Sequence, residues 1–219
     1  HRGKEKFLPQ DDVFKILRCY GIPTVKSIRI KKKADLDSAA SKVKFPLVLK
    51  VDAEEIIHKT EVRGVFLNLK DKVSLQAAFN GMAAKFEKEK PAYILQEYLK
   101  SGKEVIMGAK RNESLQPTLM FGLGGIFVET IKDVQFRLAP LSREDTFEMI
   151  HSIKGHSILE GVRGEKAVDI DSLSEILTCL SQLASDFPEI DEIDLNPVFA
   201  FEKGKGAKVV DARLKIIKI

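Results

Sequence analysis

At 219 residues, 44% of them hydrophobic and 31% charged, the chain can bury a real core as one large domain or two small lobes. A net charge of +4 is too mild to point to nucleic acid, and no apolar run approaches the roughly 20 residues that span a bilayer. Its two cysteines, Cys19 and Cys179, have no metal-ligand spacing and form no disulfide framework, and no secretory signal opens the chain, which together indicate a reducing cytoplasm.

The opening "HRGKEKF" lacks an initiator Met and reads as a remnant of processing or cloning, or as the start of one piece of a larger protein. Asp11 or Asp12 is expected to N-cap a helix carrying Val13, Ile16, Leu17 and Tyr20, stopped by Gly21 before Pro23. Val25, Ile28 and Ile30 suggest a strand, and "DLDSAASKV" a second helix. The run Lys31-Lys32-Lys33 has no interleaved aromatic residues and reads as a solvated loop. "PLVLKV" has the texture of a buried strand, and Lys50 is expected at its end. After a polar link containing His58-Lys59, Val65, Leu67 and Leu69 alternate as in a strand. In "VSLQAAFNGMAAKF" a helical stripe joins Leu75, Ala78, Phe79, Met82 and Phe86, and Pro91 ends it before the strand "YILQEYL".

From there short strands dominate: "KEVIMGAK", "PTLMF", "IFVE" and "VQFRLA". Helices follow near "REDTFEMIHSI" and "SLSEILTCLSQLASDF", then the strand-like runs "EIDLNPV", "KVVDA" and "LKIIKI". The order is α/β first and strand-rich α+β second, joined near Gln96 to Leu99.

Several side chains carry possible chemistry. Asp194 and Asn196 stand two apart on a strand and share a face, and Asp211 is expected on the neighbouring strand of a hairpin. Three such oxygen donors suit Mg²⁺, although edge charges and a turn at Asn196-Pro197 would give the same letters. Gly122, Gly124 and Gly125 follow an apolar strand, where a turn can offer backbone N–H groups to phosphate or serve the fold alone. Glu97 and Glu104 read either as surface carboxylates or as acceptors for an adenine amino group and ribose hydroxyls. Lys50 fits either a phosphate contact or a snorkelling side chain. The His58 link is either an ordinary surface connection or a place where an imidazole carries a phosphoryl group near neutral pH. His151 and His156 read as structural.

The motifs "LRCYGIPTV", "FPLVLK", "IIHK", "QEYL", "GKEVIMG", "FGLGGIFVE", "FRLAPLS", "GVRG", "DEIDLNP" and "VVDARL" follow one another along almost the whole chain. In that order the sequence resembles the ATP-grasp domain, or β subunit, of ADP-forming acetyl-CoA synthetases (acyl-CoA ligases). "FGLGGIFVE" with "IDLNP" and "VVDAR" is specific; "GIP" and "PLVLK" recur among ATP-grasp enzymes generally. The resemblance implies two α+β lobes, residues 1–95 and 96–219, closing over ATP or ADP with adenine near the hinge. It implies phosphate at Lys50 and near Gly124, adenine at Glu97 and the backbone around Leu99, and ribose at Glu104. Mg²⁺ would fall to Asn196 and Asp211, with Asp194 beside them. His58 would take a phosphoryl group from a second phosphohistidine and pass it to ADP.

The CoA-binding subunit or N-terminal domain that carries that second histidine is the implied partner, with no nucleic acid and no membrane. Thr60, Glu61 and Arg63-Gly64 replace the family's small residue, Asp and two glycines after the His-Lys pair. Asn112 and Leu115-Gln116-Pro117 replace its Asp and Phe-Gly-Pro. A regulatory ATP-grasp domain fused to a protein lysine acetyltransferase is the alternative, for which Arg63 and Asn112 leave room, whereas intact His58, Asn196 and Asp211 favour the ligase. A nucleotide-free interaction module is the third class, which an ATP-induced melting shift would exclude.

Overall fold

A computed structural model describes residues 5–52, 64–88, 91–112, 116–125, 133–162 and 164–217. The fold is mixed α+β and divides into two compact units, Val25–Lys100 and His1–Thr24 with Ser101–Ile219. Among the described residues no helix is long and apolar enough to cross a membrane.

The Val25–Lys100 unit is an antiparallel sheet in the order β2-β5-β3-β4, made of Ser27–Ile30 (β2), Leu47–Asp52 (β3), Val65–Leu69 (β4) and Ala92–Glu97 (β5). Helices α2 (Leu36–Val43) and α3 (Lys72–Lys85) contribute Leu36, Ala40, Leu75, Phe79 and Met82 to a core shared with Leu47, Leu49, Val51 and Leu95. The α3 stripe lies where its periodicity predicts. Asp71 starts that helix through a capping box with Ser74, so two backbone N–H groups are satisfied before the first turn closes.

In the second unit the sheet runs β1-β11-β9-β6-β7-β8, with β10 also on β9. Its strands are Lys6–Phe7 (β1), Lys103–Lys110 (β6), Thr118–Leu123 (β7), Val134–Leu138 (β8), Ile190–Ala200 (β9), Ala207–Val209 (β10) and Ala212–Ile216 (β11). Helices α1 (Gln10–Cys19), α4 (Arg143–His151) and α6 (Ile170–Asp186) pack on this sheet, and a short α5 (His156–Glu160) precedes α6. Register separates the two faces. Met107, Ala109, Leu119, Phe121, Ile193, Leu195 and Leu214 are cross-strand neighbours on one face and all are buried. The opposite face carries Met120, Phe136, Asp194, Arg213 and Glu192.

Helix α1 begins two to three residues earlier than the acidic pair suggested. Pro9, not Asp11 or Asp12, occupies the N-cap and makes no side-chain cap bond. The two aspartates lie in the first turn, where the helix dipole favours negative charge without a cap hydrogen bond. The strand expected at "IFVE" lies outside the described residues.

Asp169 ties α6 to the β9–β10 turn. Its buried carboxylate accepts from the N–H groups of Ser172 (3.1 Å), Gly204 (2.8 Å) and Gly206 (2.9 Å). Burial alone would raise its pKa, but the N–H groups of Gly206, Ser172 and Gly204 outweigh it and hold the carboxyl below its ordinary value. Asp169→Ala is therefore expected to cost about 2–3 kcal/mol, one cap plus two turn hydrogen bonds to a charged acceptor whose donors are at least partly open to water. A depressed folded-state pKa means the ionised carboxylate stabilises above about pH 4 and loses that effect as pH falls through the folded value. In denaturant titrations the gap between wild type and Asp169→Asn should narrow below about pH 4. A gap that stays constant from neutral to strongly acidic pH would contradict this.

Candidate functional site

Strand β9 places Asp194 and Asn196 on one face by its two-residue period, as their spacing predicts. Asp211 is not inside a neighbouring strand. It occupies the two-residue break between β10 and β11, both of which pair with β9. The Asn196 N–H donates to the Asp211 carbonyl at 3.1 Å, so the two residues stand directly across from one another. Asp194 lies between Gly108 on β6 and Arg213 on β11.

The electrostatics of this group follow from its position. Burial pushes the Asp194 carboxyl above its ordinary pKa; Arg213 opposes the shift, and Glu192 and Asp211 add to it. Asp211 accepts from Gln10 Nε2 at 3.0 Å through Oδ1. Gln10 is 6% exposed, and its Oε1 is buried with no hydrogen-bond partner among the described residues. Nothing in the local sequence marks Gln10, which is 201 residues from Asp211.

The donor set is all oxygen, which is hard-cation chemistry. Among the described residues no cluster of three or more His, Cys, Asp and Glu side chains could enclose a metal. A carboxylate residue and an amide residue directly across from one another, beside an orphaned buried acceptor, instead suit an ion whose shell is completed by phosphate and water. Mg²⁺ binds in that way, through one or two protein carboxylates.

Glu104 and Gly124 also come together. Glu104 pairs with Phe199, three residues beyond Asn196 on β9, and its carbonyl accepts from the Gly124 N–H at 2.7 Å. A Cβ on Gly124 would lie 2.8 Å from the Glu104 carbonyl carbon and Cβ, so only glycine permits this approach. Gly125 has φ +62° and sits beside the Glu104 carboxylate. Asp133 stands just before β8, beside Gly122 of β7. It is 7% exposed and accepts from the Lys154 and Gly155 N–H groups at 2.8 and 2.7 Å, while its carbonyl abuts Gly122.

The Val25–Lys100 unit holds the remaining described candidates. Lys50 is not at the end of its strand, because β3 continues to Asp52, which accepts from Arg29 Nε at 2.6 Å. Lys50 is 6% exposed and lies between Val65 and Ile94. Glu97 ends β5, and its Oε1 accepts from the Lys26 N–H at 2.8 Å. Leu99 is half-buried just past that strand. His58, Arg63 and Leu115 lie outside the described residues.

The description "ATP-grasp domain" matches residues 1–216. Over 218 residues the chain is 42% identical to the 4-hydroxybutyrate–CoA ligase (ADP-forming) of Nitrosopumilus maritimus, a match covering 97% of this chain and 31% of that protein. It is 38% identical over 218 residues to the acetate–CoA ligase (ADP-forming) I subunit beta of Pyrococcus furiosus, covering 97% of this chain and 93% of that one. The chain thus spans less than a third of the longer ligase and nearly all of the separate subunit. A solved structure of Ca. Korarchaeum cryptofilum dinucleotide forming acetyl-coenzyme A synthetase 1, with coenzyme A, Ca-AMPCP and HgCl+, matches at TM-score 0.90 and 35% identity, covering 97% of this chain and 94% of that one. Another structure of that enzyme, with coenzyme A, Mg-AMPPCP and its phosphohistidine segment pointing towards the nucleotide binding site, matches at TM-score 0.85 and 35% identity, covering 97% and 93%. By fold and sequence this chain belongs to the ATP-grasp family, in the group that contains the β subunit of ADP-forming acetate–CoA ligase.

Proposed function

We propose that this chain is the nucleotide-handling part of a cytoplasmic ADP-forming acyl-CoA ligase, which interconverts acyl-CoA, ADP and phosphate with acid, ATP and CoA. Its own share is phosphoryl exchange between His58 and ADP. The P–N bond to the imidazole breaks as a P–O bond forms to the terminal phosphate oxygen of ADP. The reverse step charges His58 from ATP. The observation that carries this reading is the Asn196–Asp211 pair, held between β9 and the break that separates β10 from β11, in a chain 38% identical to a ligase β subunit over nearly its full length.

Asn196 and Asp211 would hold Mg²⁺, with Asp194 beside them. Mg²⁺ bound there supplies charge neutralisation on the phosphate oxygens. Lys50 adds a cation for the transferring group, Glu97 and the backbone near Leu99 take adenine, and Glu104 takes the ribose. Gly124 keeps the turn close enough for backbone N–H groups to approach phosphate. In phosphoryl transfer, positioning and electrostatic stabilisation supply almost all of the catalysis, so these polar groups account for most of the chain's contribution. A CoA-binding subunit, or a further region of the same polypeptide, supplies the acyl and CoA chemistry.

Calorimetric titration with ADP tests the reading. Binding is expected to be saturable and strengthened by Mg²⁺, and Lys50→Met should weaken it by about tenfold, the loss of one charge-assisted phosphate contact. Absence of nucleotide binding, with or without Mg²⁺, would overturn the assignment.

A further inference from the structure

We propose that Gln10 is a positioning residue for Asp211, and that its amide oxygen is held back as an acceptor for a ligand of the same site. This rests on the reading of Asp211 as a metal-binding carboxylate.

The fold brings the two residues together through the edge of the large sheet. Strand β1 pairs with β11, Lys6 opposite Ile216 and Phe7 opposite Lys215, and the Leu8 N–H donates to the Leu214 carbonyl at 2.9 Å. Pro9 then turns the chain into α1, which packs on β11 and sets Gln10 beside the start of that strand. The Gln10 side chain is not used to cap its own helix. Its Nε2 donates to Asp211 Oδ1 at 3.0 Å. The carboxylate only accepts, so the amide must present nitrogen to it, which leaves Oε1 at the other end of the same planar group. That oxygen is buried and has no hydrogen-bond partner among the described residues.

A long polar side chain, ordered and 6% exposed with half of its amide unsatisfied, is a poor choice for stability alone. An isosteric methionine would fill the same space with no polar atom to desolvate. Asp211 explains why glutamine stands here instead. Its side chain projects from a break between strands, where its carbonyl is held by the Asn196 N–H, and Gln10 orients the carboxylate from a separate element. Groups that orient a metal ligand in this way typically change metal affinity 10–100-fold when removed.

The test uses the full chain, Mn²⁺ as the spectroscopic probe and ADP as the nucleotide. Electron paramagnetic resonance gives Mn²⁺ affinity in the ADP complex, and denaturant titration gives the stability of the free protein. Gln10→Met should weaken Mn²⁺ binding at least tenfold while leaving the ligand-free protein as stable as wild type or more so. In an Asp211→Asn background the same substitution should change Mn²⁺ affinity less than twofold, since the carboxylate it orients is gone. Unchanged Mn²⁺ affinity in Gln10→Met would overturn the proposal while leaving the nucleotide function standing. So would an equal loss in both backgrounds, which would mark Gln10 as packing only. A wild-type chain that binds ADP but no Mn²⁺ would overturn it together with the metal assignment.

Discussion

Asp211→Asn is expected to slow phosphoryl exchange by at least about a hundredfold, the scale on which removing one charged stabilising group acts in transfer chemistry. The substitution keeps the side chain's shape, and the bond across the strands survives because it uses the Asp211 carbonyl, not the carboxylate. What it removes is the negative charge that would hold Mg²⁺ against the phosphate oxygens. Asp194 cannot replace it, since burial disfavours its charged form and Arg213 stands opposite. The expected signature is a large fall in exchange rate, weaker Mg²⁺-dependent ADP binding and an unaltered denaturation midpoint. A rate within threefold of wild type would remove Asp211 from the metal site.

Much of this architecture is written locally. The runs "PLVLKV" and "YILQEYL" become the adjacent strands β3 and β5, and the α3 stripe becomes the face of a helix buried in the smaller unit. In each case the pattern of apolar residues is the cause of the burial, so the letters suffice. Strand β1 is different. Two residues have no periodicity, and β1 exists because β11, more than two hundred residues away, offers an edge to pair with. The five-residue α5 is missed for a similar reason: one turn and a half of helix leaves no stripe to detect.

The site divides along the same line. That Asp194 and Asn196 share a face of β9 is legible from their two-residue spacing. The break in which Asp211 sits is not, because β10 and β11 read as ordinary short strands and only their common partner β9 shows that the chain shifts between them. Lys50 is placed too near the end of β3 by a reading that expects a lysine to escape burial, whereas the strand carries it inward. Gln10 and Asp133 leave no sequence signal at all. Their roles arise from side chains reaching backbone or carboxylate groups on distant elements, which no local pattern encodes.

His58 carries the second large effect. If the imidazole forms the covalent intermediate, His58→Ala removes the only atom to which the phosphoryl group can attach, and the loss is complete rather than graded. Substitutions at Lys50 or Asp211 should leave a slow residual reaction, because they weaken stabilisation of the transferring group without removing its acceptor. Intact mass measured after incubation with ATP and Mg²⁺ reads this directly. The account predicts an acid-labile, base-stable phosphoryl adduct on the wild-type chain that ADP removes and that His58→Ala never forms. An ATP-binding wild-type chain with no adduct, or an adduct that persists in His58→Ala, would contradict it.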